Sequence, residues 1–86
     1  MSFDQERINA LSSLFQRAEK SVKKAEHIDD GIIIPSINEL RYFGYHILIA
    51  MQNENNREEV LSEFKKAEGH AKRAIYDASE AIVLFI

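Results

Sequence analysis

The residues of this chain best suited to chemistry are two arginines, a histidine and a tyrosine. His70, Arg73 and Tyr76 follow one another in steps of three, a spacing that puts side chains on one face of a helix. A chain that folds back near Asn55 brings Arg41 to the same level. Guanidinium and imidazolium groups hold phosphate through charge-assisted hydrogen bonds, and the ring of Tyr76 offers a stacking surface. These four residues predict a site for a small anionic, nucleotide-like ligand.

The same charges have a structural alternative. Two arginines and three carboxylates on neighbouring helices can form a solvated network of ion pairs, with the members Arg41, Arg73, Asp77, Glu39 and Glu80. Exposed pairs of this kind each contribute about 0–1 kcal/mol. We favour the network over the ligand site, because charged residues on helices are usually solvated, and His70 beside it keeps the ligand hypothesis open.

A third possibility rests on the segment Arg41-Tyr-Phe-Gly-Tyr-His46. It resembles the Arg-x4-His motif of HEPN-type helical ribonucleases, in which both residues lie on a helix at a dimer interface. The resemblance covers six residues and implies that Arg41 and His46 act on a scissile phosphate. Tyr42 departs from the commoner pattern, which has a polar residue there. Five helical steps rotate about 500°, so the two side chains lie about 140° apart, and we expect one chain alone not to direct both at one phosphate.

Other sites find little support in the sequence. The three histidines, His27, His46 and His70, lack the close spacing of metal ligands, and the chain has no cysteine. It contains no glycine-rich phosphate loop and no nucleophile elbow. We therefore predict no catalytic residues, no metal and no cofactor, and expect a protein that is not an enzyme.

Length and charge set further bounds. Eighty-six residues are expected to form one domain over residues 1–86, and a chain this short buries only about 60–65% of its unfolded surface. The net charge of −3 argues against a dedicated nucleic-acid partner. The acidic start does not resemble a signal peptide, and the apolar runs are too short to span a bilayer. We expect a cytoplasmic protein without a membrane span.

Apolar periodicity predicts three helices. Each has a capping signal at its start, and the pairs are Ser2 with Gln5, Ser36 with Glu39, and Asn56 with Glu59. The predicted spans are Phe3–Ala25, Ile37–Gln52 and Arg57–Ile86, separated by the Asp-Asp-Gly turn before Pro35 and by a polar corner at residues 53–56. Short connections favour antiparallel neighbours. The expected fold is all-α, an up-down-up three-helix bundle with a long C-terminal helix, completed by oligomerisation.

The third helix carries a seam of small residues. The seam repeats in steps of three and four and consists of Val60, Phe64, Ala67, Ala71, Ala74, Ala78, Ala81 and Phe85. Such spacing is typical of helix contacts, and alanine lets a neighbour approach closely. Gly44 and Gly69 fall inside helices, where glycine costs about 1 kcal/mol, so we expect close backbone approach at both.

Association is the function that the sequence favours. The second helix is apolar on two sides, which suggests a central position or contact with another subunit, and the chain ends on the run Ile82-Val-Leu-Phe-Ile86. The third helix with its C-terminal apolar end is the predicted main contact, and the tyrosine stripe of the second helix is the second candidate. The candidate interface residues are Tyr42, Tyr45, Ile49, Ile82, Phe85 and Ile86. We predict a small helical association module whose partner is a second copy of itself. Ligand binding and the HEPN-like activity stand as alternatives.

Overall fold

A computed structural model of the protein describes residues 4–29, 31 and 33–85. These residues form three helices, α1 (Gln5–Asp29), α2 (Ile34–Gln52) and α3 (Arg57–Phe85), which confirms the predicted all-α class. The longest dimension is 47 Å, close to the roughly 43 Å of a 29-residue helix. The three helices must therefore lie side by side. None of them, over the described residues, has the length and apolarity needed to cross a membrane.

The first helix begins and ends differently from the prediction. Ser2, the expected cap, lies outside the described residues. Asp4 caps α1 instead, since its Oδ1 accepts hydrogen bonds from the backbone N–H groups of Glu6 at 3.0 Å and Arg7 at 3.4 Å. The predicted end near Ala25 is wrong, because α1 continues to Asp29. Glycine is the residue that commonly follows a helix end, and the N–H of Gly31 donates to the Glu26 carbonyl at 3.2 Å.

The second helix begins three residues earlier than predicted. Ile33 occupies the capping position without a side-chain cap, and Pro35 stands in the first turn, where its missing N–H has no helical partner to lose. The capping role predicted for Ser36 is therefore wrong. Ser36 is fully buried, and its hydroxyl donates to the carbonyl of Ala74 on α3 at 3.2 Å. A hydroxyl that bonds the backbone of the next helix requires close contact between the two.

The third helix follows the prediction most closely. Asn56 caps it by accepting from the Glu59 N–H at 3.1 Å. Six positions of the predicted seam are buried, four of them alanines with no exposed surface, and they are Val60, Phe64, Ala67, Ala71, Ala74 and Ala78. Ala81 and Ile82 pack against this core from its edge. The side chain of Phe85 and all of Ile86 lie outside the described residues.

The central helix is α3, not α2. It packs along both neighbours, whereas α1 and α2 meet over a short stretch where the rings of Phe15 and Phe43 lie 4.9 Å apart. The apolar character of α2 on two sides therefore does not arise from a central position. One side packs on α3, and large apolar side chains on the rest of the helix stay exposed.

The prediction of close backbone approach at Gly44 and Gly69 is also wrong. Apart from its chain neighbours and the adjacent backbone of its own helix, a Cβ built on Gly44 meets no described atom within 4 Å. The atoms nearest to a Cβ on Gly69 belong to the guanidinium of Arg73, at 3.4 Å, one turn along the same helix. The close contact between α2 and α3 occurs instead at Ser36 and at the alanines, whose small side chains permit it.

Candidate functional site

Two glutamate–histidine pairs join α2 to α3. Glu63 on α3 is bonded through Oε2 to Nδ1 of His46 on α2, at 2.5 Å. In the reverse direction, Glu39 on α2 contacts Nδ1 of His70 on α3 through Oε2, at 3.0 Å. The two residue numbers of each pair have the same sum, as an antiparallel pairing requires. The two pairs are thus related by an approximate twofold exchange of the helices.

The first pair is the more buried. The Glu63 side chain is only 7% exposed, and its second carboxylate oxygen accepts from Lys66 Nζ at 3.3 Å. Burial alone would raise the pKa of the Glu63 carboxyl. The hydrogen bonds from His46 and Lys66, with the positive charge of both groups, outweigh burial and lower that pKa below its usual value. Glu63 is therefore a buried carboxylate that holds His46 in place.

The second pair includes an arginine. Arg73 Nε donates to Oε2 of Glu39 at 2.9 Å, the oxygen that also contacts His70. Partial burial would raise the pKa of Glu39, but hydrogen bonds from His70 and Arg73 and then their charges lower it overall. Arg73 Nη2 also lies 2.9 Å from Nδ1 of His70. A guanidinium only donates and a carboxylate only accepts, so Nδ1 can bond only one of them at a time, and the imidazole's proton determines which.

The two imidazoles stack on each other. Their ring centroids are 5.1 Å apart and the planes differ by 8°. The ring centroids of Tyr42 and His70 are 5.3 Å apart. The rings of Tyr45 and His46 pack edge to face, also with 5.3 Å between centroids. Two histidines and two tyrosines thus form one aromatic cluster across the α2–α3 boundary.

This cluster lines a shallow groove of about 510 Å³, here called the histidine groove. Its walls are Arg41, Tyr42, Tyr45, His46 and His70. Both imidazoles use Nδ1 for bonds within the protein, and neither Nε2 has a hydrogen bond to a described residue. No side-chain nitrogen or oxygen that is buried within the described structure lacks a partner, so both Nε2 atoms must be in contact with solvent. They are the ring nitrogens that can meet a ligand.

The four residues predicted to bind an anion are divided by the structure. Arg41 and His70 line the histidine groove together, whereas Arg73 lines an adjoining basic depression with Ser62, Lys65, Lys66, Gly69 and His70. Tyr76 is exposed and belongs to neither lining. Of the alternative network, the Arg73–Glu39 pair forms, and Arg41 instead donates to Asn38 Oδ1 at 3.5 Å.

The two residues of the HEPN-like motif, Arg41 and His46, are brought to the same groove by the fold. Arg41 and His46 line the same groove although an ideal helix separates them by about 140°. The long arginine side chain and the position of the groove along the α2–α3 boundary allow this. Both can therefore face one bound group within a single chain.

Glu63 is the residue of the site that the sequence analysis missed. A signal for it exists, because Glu39 precedes His46 by seven residues and Glu63 precedes His70 by the same number. Seven residues fall about 20° short of two helical turns, so glutamate and histidine share a face on each helix. Two such helices packed antiparallel can pair each glutamate with the opposite histidine.

The residues predicted for an interface also separate into groups. Tyr42 and Tyr45 are exposed, Ile49 is half-buried, and Ile82 packs on the chain's own core. Val83 and Leu84, in the same C-terminal run, are largely exposed. The prediction for Phe85 and Ile86 lies outside the described residues.

Within the part of the chain that the structure describes, no group of three or more histidine, cysteine, aspartate or glutamate residues is placed to hold a metal ion. Comparison of the chain with protein-family models, curated proteins and solved structures gives no match.

Proposed function

We propose that the protein is a homo-oligomeric association module and that the outer surface of α2 is its main interface. One observation carries the proposal. Five large apolar side chains on this helix are each 51–64% exposed, and they are Ile34, Tyr42, Tyr45, Leu48 and Met51. Apolar surface of this extent on one helix commonly marks a protein contact, and aromatic residues are enriched at such contacts.

The distribution of charge supports the same surface. Only two of the 19 residues of α2, Glu39 and Arg41, are formally charged, and Glu39 is already bonded to α3. The corresponding number for α1, the other flanking helix, is nine of 25. A second copy can therefore approach α2 with little charge to desolvate and little like-charge repulsion, although the whole chain carries −3.

A second copy is the occupant that this surface suits best. Most soluble oligomers pair the same surface of two subunits about a twofold axis. Two α2 helices packed in this way would bury the Leu48 and Met51 side chains of each chain against the other. Val83 and Leu84, which are also exposed, belong to the C-terminal run that the sequence predicts as the main contact, and they would add a second area to this interface.

The test is the mass of the native protein as a function of concentration. Native mass spectrometry and sedimentation should give an oligomer at micromolar concentration. Leu48→Arg should dissociate it, because a charge would have to be buried at the contact. Ser79→Arg adds the same charge at an exposed position of α3 and should leave the mass unchanged. A wild-type protein that stays monomeric at high concentration would contradict the proposal.

A HEPN-like ribonuclease is the second candidate, favoured by the location of Arg41 and His46 in one groove. Arginine would stabilise the charge on the phosphate and histidine would transfer a proton. Incubation with a single-stranded RNA should then yield fragments, and Arg41→Gln and His46→Ala should each abolish cleavage. His27→Ala, at an exposed position of α1, is the matched control. RNA that stays intact would remove this candidate.

A further inference from the structure

Beyond association, we propose that the histidine groove binds a nucleotide, with the phosphate held by Arg41 and the Nε2 atoms of His46 and His70 and the base stacked on Tyr42 or Tyr45. The residues differ from the predicted set, since Arg73 and Tyr76 do not line this groove. The charge, the hydrogen-bonding capacity and the shape of the groove each favour this class of ligand.

The charge around the groove is opposite in sign to the charge of the chain. Three cations, Arg41, Lys66 and Arg73, stand against the two carboxylates Glu39 and Glu63, so the local sum is +1 with neutral imidazoles and +3 with both protonated. The whole chain carries −3. A positive spot on a negative protein attracts anions locally, and such attraction is strongest in a concave site.

Hydrogen bonding selects an acceptor with several oxygens. Among the residues that the structure describes, Arg41 donates one long hydrogen bond, to Asn38, which leaves most of its five N–H donors for a ligand. The glutamates hold the histidines through Nδ1, so a protonated ring directs its second N–H, on Nε2, away from that bond. The three donor residues, two on α2 and one on α3, line one groove. A phosphate group, with oxygens on several sides, can accept from all of them.

The tyrosines give the groove a second, apolar part. Tyr42 and Tyr45 are half exposed, and each packs on a histidine ring that limits its rotation. Exposed aromatic faces bind nucleobases by stacking, which contributes about 1–3 kcal/mol per base. The groove volume of about 510 Å³ falls within the usual range of about 300–1,000 Å³ for small-molecule sites. Phosphate beside a planar ring is the defining pattern of a nucleotide.

The experiment is a calorimetric titration of the full chain with adenosine monophosphate, inorganic phosphate and adenosine. The nucleotide should bind saturably, and more tightly than phosphate or adenosine alone, since only it uses both parts of the groove. Arg41→Gln and Tyr42→Ala should each weaken binding by about tenfold, the scale of one charge-assisted bond or one stacked base. Arg17→Gln is the matched control, because Arg17 lines the other large groove, between α1 and α3.

Adenosine 3′,5′-cyclic monophosphate gives an independent readout. Its single phosphate charge is constant between pH 6 and 8, so any change in affinity over that range comes from the protein. The other ionisable groups around the rings are Glu39, Glu63, Arg41, Lys66, Arg73 and the two tyrosines. Imidazole is the side-chain type whose charge ordinarily changes in this interval, because carboxyl, guanidinium, ammonium and phenol groups ordinarily change charge outside it. Affinity should therefore rise as the pH is lowered, and a His46→Gln, His70→Gln double variant should lose this dependence.

Several results would overturn the proposal. They are no saturable binding of the nucleotide, equal affinity for inorganic phosphate and nucleotide, or an Arg17→Gln effect as large as that of Arg41→Gln. Loss of fold is checked by the circular dichroism of each variant. Because Tyr42 and Tyr45 belong to both proposed surfaces, the titration is repeated on Leu48→Arg, which should break the oligomer without changing a residue that lines the groove. The nucleotide should bind this variant at least as tightly as the wild type, so failure of binding and failure of association are distinguished.

Discussion

The two helices that flank α3 pack on it through different chemistry. The buried residues of α1 are all apolar, namely Leu11, Ala18, Val22 and Ala25, and its outer surface carries most of its nine charges. On α2 the buried residues are Ser36, Phe43 and Ala50. Every ion pair that joins two helices, among residues 4–29, 31 and 33–85, connects α2 to α3.

The two helices differ in how much of their apolar surface the single chain covers. α1 has one apolar stripe, which α3 covers, and a charged remainder that water solvates, so nothing further is needed there. α2 adds polar contacts to its apolar packing on α3, through the buried Ser36 hydroxyl and the side chains of Glu39 and His46, and it leaves large apolar side chains exposed. These exposed side chains stabilise nothing within the single chain, and the proposed oligomer and groove supply two uses for them.

The largest expected effect compares leucines on the two helices. Leu11→Ala removes a side chain that is 6% exposed and should lower the free energy of unfolding by about 2–5 kcal/mol. Leu48→Ala, on α2, should change it by less than about 0.5 kcal/mol in dilute, monomeric protein. Urea unfolding measures both. If the loss of stability in Leu48→Ala grows with protein concentration, the Leu48 side chain is buried at the contact between subunits.

The next effect compares two glutamates of α3. Glu63→Ala leaves His46 and Lys66 without their shared carboxylate and should cost about 1–3 kcal/mol, as for other broken buried hydrogen bonds. Glu68→Ala removes an exposed pair with Lys72, bonded at 2.9 Å, and should cost about 0–1 kcal/mol. Thermal unfolding at pH 7 gives both values. Equal losses would mean that the Glu63–His46 bond contributes no more to stability than a surface pair.

Acidic pH should weaken the α2 side selectively. The folded-state pKa values of Glu39 and Glu63 lie below the ordinary 4.5, so their contribution is complete above about pH 4.5 and is lost as the pH falls through the lowered values. Wild-type protein should therefore be more stable than a Glu39→Gln, Glu63→Gln double variant at neutral pH, and the difference should shrink below pH 4.5. Unfolding curves from pH 3 to 7 measure it. A difference that stays constant would exclude these two carboxylates as its source.

The smallest effect concerns the helical glycines. Gly44→Ala should stabilise the protein by up to about 1 kcal/mol, because no described atom stands within 4 Å of the new Cβ. Gly69→Ala should gain less, since its Cβ would touch the Arg73 guanidinium that pairs with Glu39. Chemical denaturation measures the free energy of unfolding of both variants and so compares the two gains. A loss of stability at Gly44 would restore the rejected idea of close backbone approach.

Helix periodicity alone predicted much of the fold. Three helices, the Asn56 cap and six buried positions of the α3 seam follow from residue spacing, because a helix returns its side chains to one face every three or four residues. The same logic failed at Ser36, where a capping pattern was present. A serine three residues before a glutamate or glutamine is compatible with a cap, and only packing decides whether the hydroxyl faces its own helix end or a neighbouring helix.

The candidate site could be predicted only in part. Local spacing brought together Arg41 and His70, which line one groove. Tyr76, which the same spacing included, is exposed and lines neither that groove nor the basic depression beside it. Glu63 was missed because its histidine partner, His46, is 17 residues away on another helix.

Residue types along the sequence and the repeat of one helix are enough to specify the helices, the small-residue seam and the scarcity of charge on α2. The central position of α3, the burial of Ser36 and the stacking of two histidines at 5.1 Å between two glutamates arise from the packing of one helix on another. Those outcomes depend on the register between helices. Register is the sum of many small contacts along both surfaces, and no single residue pattern specifies it.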